Sequence, residues 1–100
     1  AAEYRERVKD HPNDADAHYS LALALIYNEH WAEAAVHLRR VTELNADFVD
    51  AYSRLAICLA NLGELAEAAE AVEAGLAVAP ADPKLLELQD QIARLRSGRR

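Results

Sequence analysis

The chain repeats itself with a period of 34 residues. Sliding the sequence by that interval lays Asp16-Ala17 on Asp50-Ala51, Leu21-Ala22 on Leu55-Ala56, Leu25 on Leu59, and Ala32-Glu33-Ala34-Ala35 on Ala66-Glu67-Ala68-Ala69, without a gap. Similar residues extend the register: His18 on Tyr52, Leu23 on Ile57, Trp31 on Leu65, Leu38 on Val72 and Leu44 on Val78. Two periods back from Pro80 stands Pro12. A period of this length marks one supersecondary unit that cannot bury its own apolar face and must stack on copies of itself.

Inside each unit the spacing is helical. Ala17, Leu21 and Leu25 step by four and share one helix face, and Ala51, Leu55 and Leu59 repeat it. Ala22, Ala34, Ala56 and Ala68 are small enough to let paired helices approach where a Leu would hold them apart. Asn28 to His30 and Leu62 to Glu64 have room only for a helix–helix turn, and Gly63 suits the left-handed end of a helix. Asp82-Pro83 is a helix start, because Asp accepts backbone N–H bonds and Pro fits the first turn. Alanine and leucine dominate while Gly and Pro number three each, so helix is favoured throughout. The expected helices are about 2–11, 15–28, 31–44, 49–62, 65–78 and 83–97. Residues 1–100 read as one domain: 1–12 a partial preceding hairpin carrying Tyr4, Val8 and Pro12, then repeats at 15–48 and 49–82, then a capping helix at 83–97. That last helix has a seam of Leu85, Leu88, Ile92 and Leu95 and a polar face of Lys84, Glu87, Gln91 and Arg94, as a terminal cap requires.

The order His18, Leu21-Ala22, Leu25, Ala34, Leu38 in the first unit, and Tyr52, Leu55-Ala56, Leu59, Ala68, Val72, Pro80 in the second, resembles the tetratricopeptide repeat (TPR) family. The resemblance covers residues 15–82 in full. It implies an all-α fold of five to six helices, antiparallel hairpins stacked as a right-handed superhelix, that binds other protein segments and catalyses nothing. Three departures stand out: Ala46 at the first closing-Pro place, Val41 and Gly75 where the family usually has Ala, and Glu29 where Gly63 supplies the turn glycine of the second repeat. They predict a less tidy first inter-hairpin turn. In this family the first helix of each hairpin lines the concave groove. Carried over, that gives Asp16, Tyr19, Leu23 and Ile26 from the first repeat and Asp50, Ser53, Ile57 and Ala60 from the second, with Tyr27 and Asn61 at the edge. One TPR subclass grips the C-terminal carboxylate of heat-shock chaperones with a clamp of Lys, Asn and Arg. The corresponding places here hold Tyr19, Leu23, Ser53, Ile57, Glu87 and Gln91, so chaperone-tail binding is not expected.

A formal charge of −6 repels polyanions, which argues against nucleic acid as a partner. Arg94, Arg96, Arg99 and Arg100 cluster at the C-terminus, where they complement the last helix's dipole. Leu21 to Tyr27 is the apolar run and falls well short of the roughly 18 residues of a spanning helix, so no membrane is expected. The opening Ala1-Ala2-Glu3 has neither a basic region nor an apolar core of a signal peptide, and the missing initiator Met points to a fragment. Cys58 alone permits no internal disulfide and fits a reducing compartment, the cytoplasm; a trimmed export signal would change that expectation.

Catalysis and metal binding both need convergent ligands. His30 and His37 lie two turns apart with no Cys or acidic partner to complete a site, and His11 and His18 stand elsewhere, so surface or packing roles are expected, with no cofactor and no metal. There is no Gly-rich phosphate loop and no nucleophile elbow. Glu64, Glu67, Glu70 and Glu73 read as a solvated outer face, and Cys58 as a small core residue at the place of Ala24. Leu23, Ile26 and Ile57 are apolar at places the Leu21/Leu25 and Leu55/Leu59 faces do not use, which marks a partner groove. The alternative is a structural spacer or self-associating part of a longer array, whose neighbours or second copy cover those residues.

Overall fold

A computed structural model describes residues 2–98; Arg99 and Arg100 of the basic tail lie outside the described residues. The chain forms α1 (Ala2–Asp10), α2 (Ala15–Tyr27), α3 (Trp31–Leu44), α4 (Val49–Asn61), α5 (Leu65–Val78) and α6 (Pro83–Arg96). Each predicted helix is present, with ends agreeing to within one residue. Each helix packs on the next in chain order, and α4 also meets α6. The result is an elongated stack of 43 × 26 × 18 Å.

Local chemistry sets the breaks. Asp14 caps α2, its carboxylate accepting from the Asp16 and Ala17 amides at 3.0 and 3.3 Å, which satisfies N–H groups that have no helical partner. Asp82 does the same for Leu85 N at 3.1 Å, with Pro83 opening α6. The two inter-helix turns match bond for bond. Glu29 N donates to Ile26 O and His30 N to Leu25 O at 2.9 and 2.8 Å; Gly63 N donates to Ala60 O and Glu64 N to Leu59 O at 3.0 and 2.9 Å. Glu29 (φ 60°) takes the same left-handed conformation as Gly63 (φ 80°). The first turn is therefore no less regular than the second, contrary to the sequence expectation: Glu29 accepts the backbone strain that Gly avoids. The substitution of Ala46 for Pro is equally silent, since Asp14, Phe48 and Asp82 donate to His11 O, Asn45 O and Ala79 O at 3.1 Å each.

A continuous core runs through the stack. Leu21, Leu25, Leu38 and Val41 of the first repeat, Leu55, Leu59 and Val72 of the second, and Leu85 of α6 are buried. Ala17, Ala22, Ala34, Ala51, Ala56 and Ala68 are fully enclosed where helix backbones approach. Gly75 marks the tightest approach: a Cβ there would lie 2.8 Å from Leu85 Cδ1 and 2.9 Å from Tyr52 Cβ. α1 buries no residue completely and is held to the core through half-buried Val8. On the surface, ion pairs repeat with the sequence period. Arg5 of α1 pairs with Glu33 of α3, and Arg39 of α3 with Glu67 of α5. All four side chains are substantially exposed, so solvent screens both pairs and they orient successive helices more than they stabilise them.

Candidate functional site

The residues expected to face a partner sit on α2 and α4, the first helices of the two hairpins, and fall into three groups by burial. Asp16, Tyr27, Asp50 and Asn61 are exposed, Tyr27 at 88% of its full surface. Tyr19, Leu23, Ile26, Ile57 and Ala60 are half-buried. Ser53 is buried, with 6% of its surface exposed, and its hydroxyl donates to Asp50 O at 2.9 Å. Ser53 thus turns its polar atom back onto its own helix.

Half-burial has identifiable causes. Tyr19 lays its ring on Phe48, the residue that opens α4, with centroids 4.7 Å apart and planes tilted by 40°, an arrangement aromatic pairs favour. This contact ties the first helix of one repeat to the first helix of the next. Ile26, Ile57 and Ala60 rest one side against the core, so they serve packing as well as surface. Leu23 is half-buried as well but is not packed into that cluster, so its surface is not committed to the core. Asn61 Nδ2 donates to Ile57 O at 2.9 Å, folding the edge amide back on the helix. The polar groups on this face are Asp16 and Asp50, both in first turns, where negative charge complements the helix dipole. On α6 exposed Lys84 stands in register with Asp16 and Asp50, and exposed Glu87 in register with Tyr19 and Ser53.

Chemical reactivity is muted. Burial pushes the Cys58 thiol up to about 11, partly opposed by the Arg54 charge, so the sulfur stays protonated and poorly nucleophilic at neutral pH. The Arg5 hydrogen bond holds the Glu33 carboxyl below its ordinary range. Among the described residues no three His, Cys, Asp or Glu side chains converge as a metal site. No helix among them is long and apolar enough to cross a membrane. The Glu64, Glu67, Glu70 and Glu73 series is exposed throughout, with Glu67 engaged by Arg39.

Two features escaped the sequence reading. Phe48 was not assigned to the face, although it lies one residue before the α4 periodicity and could have been found as an aromatic at a helix entry. His18 and His37 meet across the α2–α3 hairpin, Nδ1 to Nδ1, at 3.1 Å. Only the pairing register of the two helices brings them together; along the sequence they are 19 residues apart.

The tetratricopeptide repeat family profile matches residues 25–92. No curated protein matches the chain. Solved structures do. The first TPR of Spaghetti (RPAP3), bound to the HSP90 peptide SRMEEVD, superposes with a TM-score of 0.88 at 21% identity, covering 94% of this chain and 75% of that one. The TPR2B domain of yeast Sti1, in complex with an Hsp70 peptide, gives 0.82 at 26% identity over 92% of this chain and 78% of that one. MamA (AMB-1) gives 0.85 at 23% identity over 96% of this chain and 52% of that one.

Proposed function

The chain belongs to the tetratricopeptide repeat family, and from that premise we propose that it is a non-catalytic scaffold that binds a peptide or helical segment of a partner protein along the concave face of α2 and α4. The observation that carries the reading is the half-exposed apolar strip of Leu23, Ile26 and Ile57, flanked by the protruding ring of Tyr27. Burying such a strip is the usual source of affinity when a segment lies in a helical groove. The domain of Sti1, at 26% identity, carries a peptide in its complex, which supports the same general use of the fold.

The side chains at the clamp places argue against an acidic peptide such as the SRMEEVD carried by the Spaghetti domain. Tyr19, Leu23, Ser53, Ile57, Glu87 and Gln91 offer no cationic group to a terminal carboxylate. The proposed ligand is therefore held by apolar burial, and its affinity changes little with salt. Such contacts are non-directional, so several related segments bind. We further propose a cytoplasmic location, which the free, buried Cys58 fits.

The test uses random peptides displayed on phage and selected against the intact chain. Recovered peptides should shift the amide resonances of α2 and α4. Leu23→Lys with Ile57→Lys should abolish their binding, while Glu70→Lys on α5 should not. Because Ile57 also packs on the core, Leu23→Lys alone serves as the milder variant, with melting curves recorded for each. Peptides that lose binding on Glu70→Lys and keep it on the groove variants overturn the assignment. Mass that rises with concentration in the absence of any peptide favours a self-associating spacer instead.

A further inference from the structure

The contact between His18 and His37 belongs neither to the groove nor to the packing that the two repeats share. At the matching places the second repeat has Tyr52 and Ala71. Tyr52 Oη donates to Ala46 O at 2.8 Å, and His18 Nε2 meets Pro12 O at 2.7 Å in the same register. A carbonyl can only accept, so Nε2 of His18 carries a hydrogen. In the neutral ring Nδ1 of His18 is then a bare acceptor. His37 must present Nδ1–H to it across the 3.1 Å gap, which leaves Nε2 of His37 as the remaining basic atom. His18 is 6% exposed, so it cannot turn away to water without opening the packing around it.

This arrangement has room for one added proton and no more. The first goes to Nε2 of His37, which leaves one hydrogen between the two Nδ1 atoms and a positive charge that belongs to the pair, and the inter-ring bond survives as a charge-assisted one. A second would have to enter Nδ1 of His18, setting two N–H groups against each other at 3.1 Å and two imidazolium rings 5.3 Å apart between centroids. We infer that the His18–His37 pair is a proton-gated latch, which ties α2 to α3 within the first hairpin at neutral pH and works loose in mild acid.

The charged surroundings do little to compensate the second proton. Facing the pair are Arg5 from α1 and Glu33, Arg39, Arg40 and Glu43 from α3, with exposed His11 beside Pro12. Glu33 is engaged by Arg5, Glu43 by Arg40, and the Asp14 carboxylate by the first amides of α2. Arg40 also donates to Asn13 Oδ1 at 2.9 Å. Burial, then the His18 charge, holds the His37 imidazolium below its ordinary range, against the opposing pull of Glu33. The sign follows. Below pH about 6.5 the unfolded chain protonates both rings while the latched state holds at most one. Acid therefore favours the released state, by about tenfold per pH unit for each proton taken up. The contact at risk is the one between α2 and α3 at the two rings, because Nε2–H of His18 goes on donating to Pro12 O in either charge state.

Imidazole nitrogen NMR of the whole chain tests this directly. At pH 7.5 His18 should be the Nε2–H tautomer and His37 the Nδ1–H tautomer. The pair should titrate in two separated steps, the lower one accompanied by at least a tenfold loss of amide-exchange protection in α2 and α3 around the two rings. A variant carrying His18→Tyr and His37→Ala installs the side chains of the second repeat and keeps a donor for Pro12 O. Its α2 and α3 protection should be the same at pH 5 as at pH 7.5. The inference is overturned if the variant keeps the wild-type acid sensitivity, which would assign it to His11 or His30. It is also overturned, whether or not the variant folds, if the wild-type rings titrate independently while protection in α2 and α3 stays constant.

Discussion

Residues 15–48 and 49–82 make the same backbone from different parts. The first hairpin turns on Glu29 at φ 60° and the second on Gly63 at φ 80°, with the same pair of hydrogen bonds. α2 starts on a side-chain cap from Asp14; α4 starts on Phe48, which makes no side-chain cap bond and instead stacks on Tyr19. Val41 is followed across the next helix interface by Ala51, whereas at the matching places Gly75 is followed by Leu85, both pairs fully or nearly enclosed. Bulk has moved from one helix to its neighbour. His37 and Arg40, by contrast, become Ala71 and Ala74 with no gain elsewhere, and the two alanines line an open crevice of about 270 Å³ between α3, α4 and α5. The lesson is that the two repeats share helix spacing and turn geometry, that enclosed side chains trade volume at nearly constant sum, and that open ones need not.

The comparison can be broken most forcefully at its shared core. Leu59→Ala and Leu25→Ala remove equivalent side chains, 3% and 1% exposed, and each should lower unfolding free energy by roughly 2–5 kcal/mol. Urea titrations giving a loss below about 0.5 kcal/mol for either would mean that the two repeats do not share one core register. Next in size is the traded interface. Gly75→Ala improves helix propensity by about 1 kcal/mol, yet its methyl would collide with Tyr52 Cβ, which the backbone anchors, and with buried Leu85. The collision should win, for a net loss of about 1–3 kcal/mol; a stabilised variant would show that the α5–α6 interface is looser than described. The smallest contrast lies in the turns. Gly63→Ala meets no atom within 4 Å but keeps a positive φ, so it should lose about 1 kcal/mol. Glu29→Gly should gain roughly 0.5 kcal/mol, strain relief less the added flexibility of the unfolded chain. Opposite-signed results of that order in denaturant midpoints would confirm that the two turns are one conformation; a loss on Glu29→Gly would mean the Glu side chain supports the first turn.

Most of the fold was legible because helix periodicity, capping residues and the 34-residue register are local quantities. The six helices, the Leu21/Leu25 and Leu55/Leu59 faces, the buried alanines and the inert Cys58 follow from them. The groove was legible only in outline. Periodicity placed Leu23, Ile26 and Ile57 off the main seam, but it could not say that Ile26 and Ile57 would lean half onto the core, that Ser53 would be buried, or that Phe48 would take the Tyr19 ring. Those outcomes depend on where a neighbouring helix lies, to within an ångström or two.

The sequence by itself determined the architecture: a repeated amphipathic spacing with short turns admits little but stacked helical hairpins, and membership of the TPR family follows from that pattern. Tertiary structure alone decided the pairwise chemistry. His18 and His37 are unremarkable histidines in the chain and become one hydrogen-bonded unit across the hairpin; Arg5 and Glu33 likewise find each other over 28 residues. The physical reason is range. A helix face is fixed by residues three or four apart, whereas a hydrogen bond between helices needs both backbones placed closely enough to hold two nitrogens at 3.1 Å, and that placement is the sum of every core contact between them.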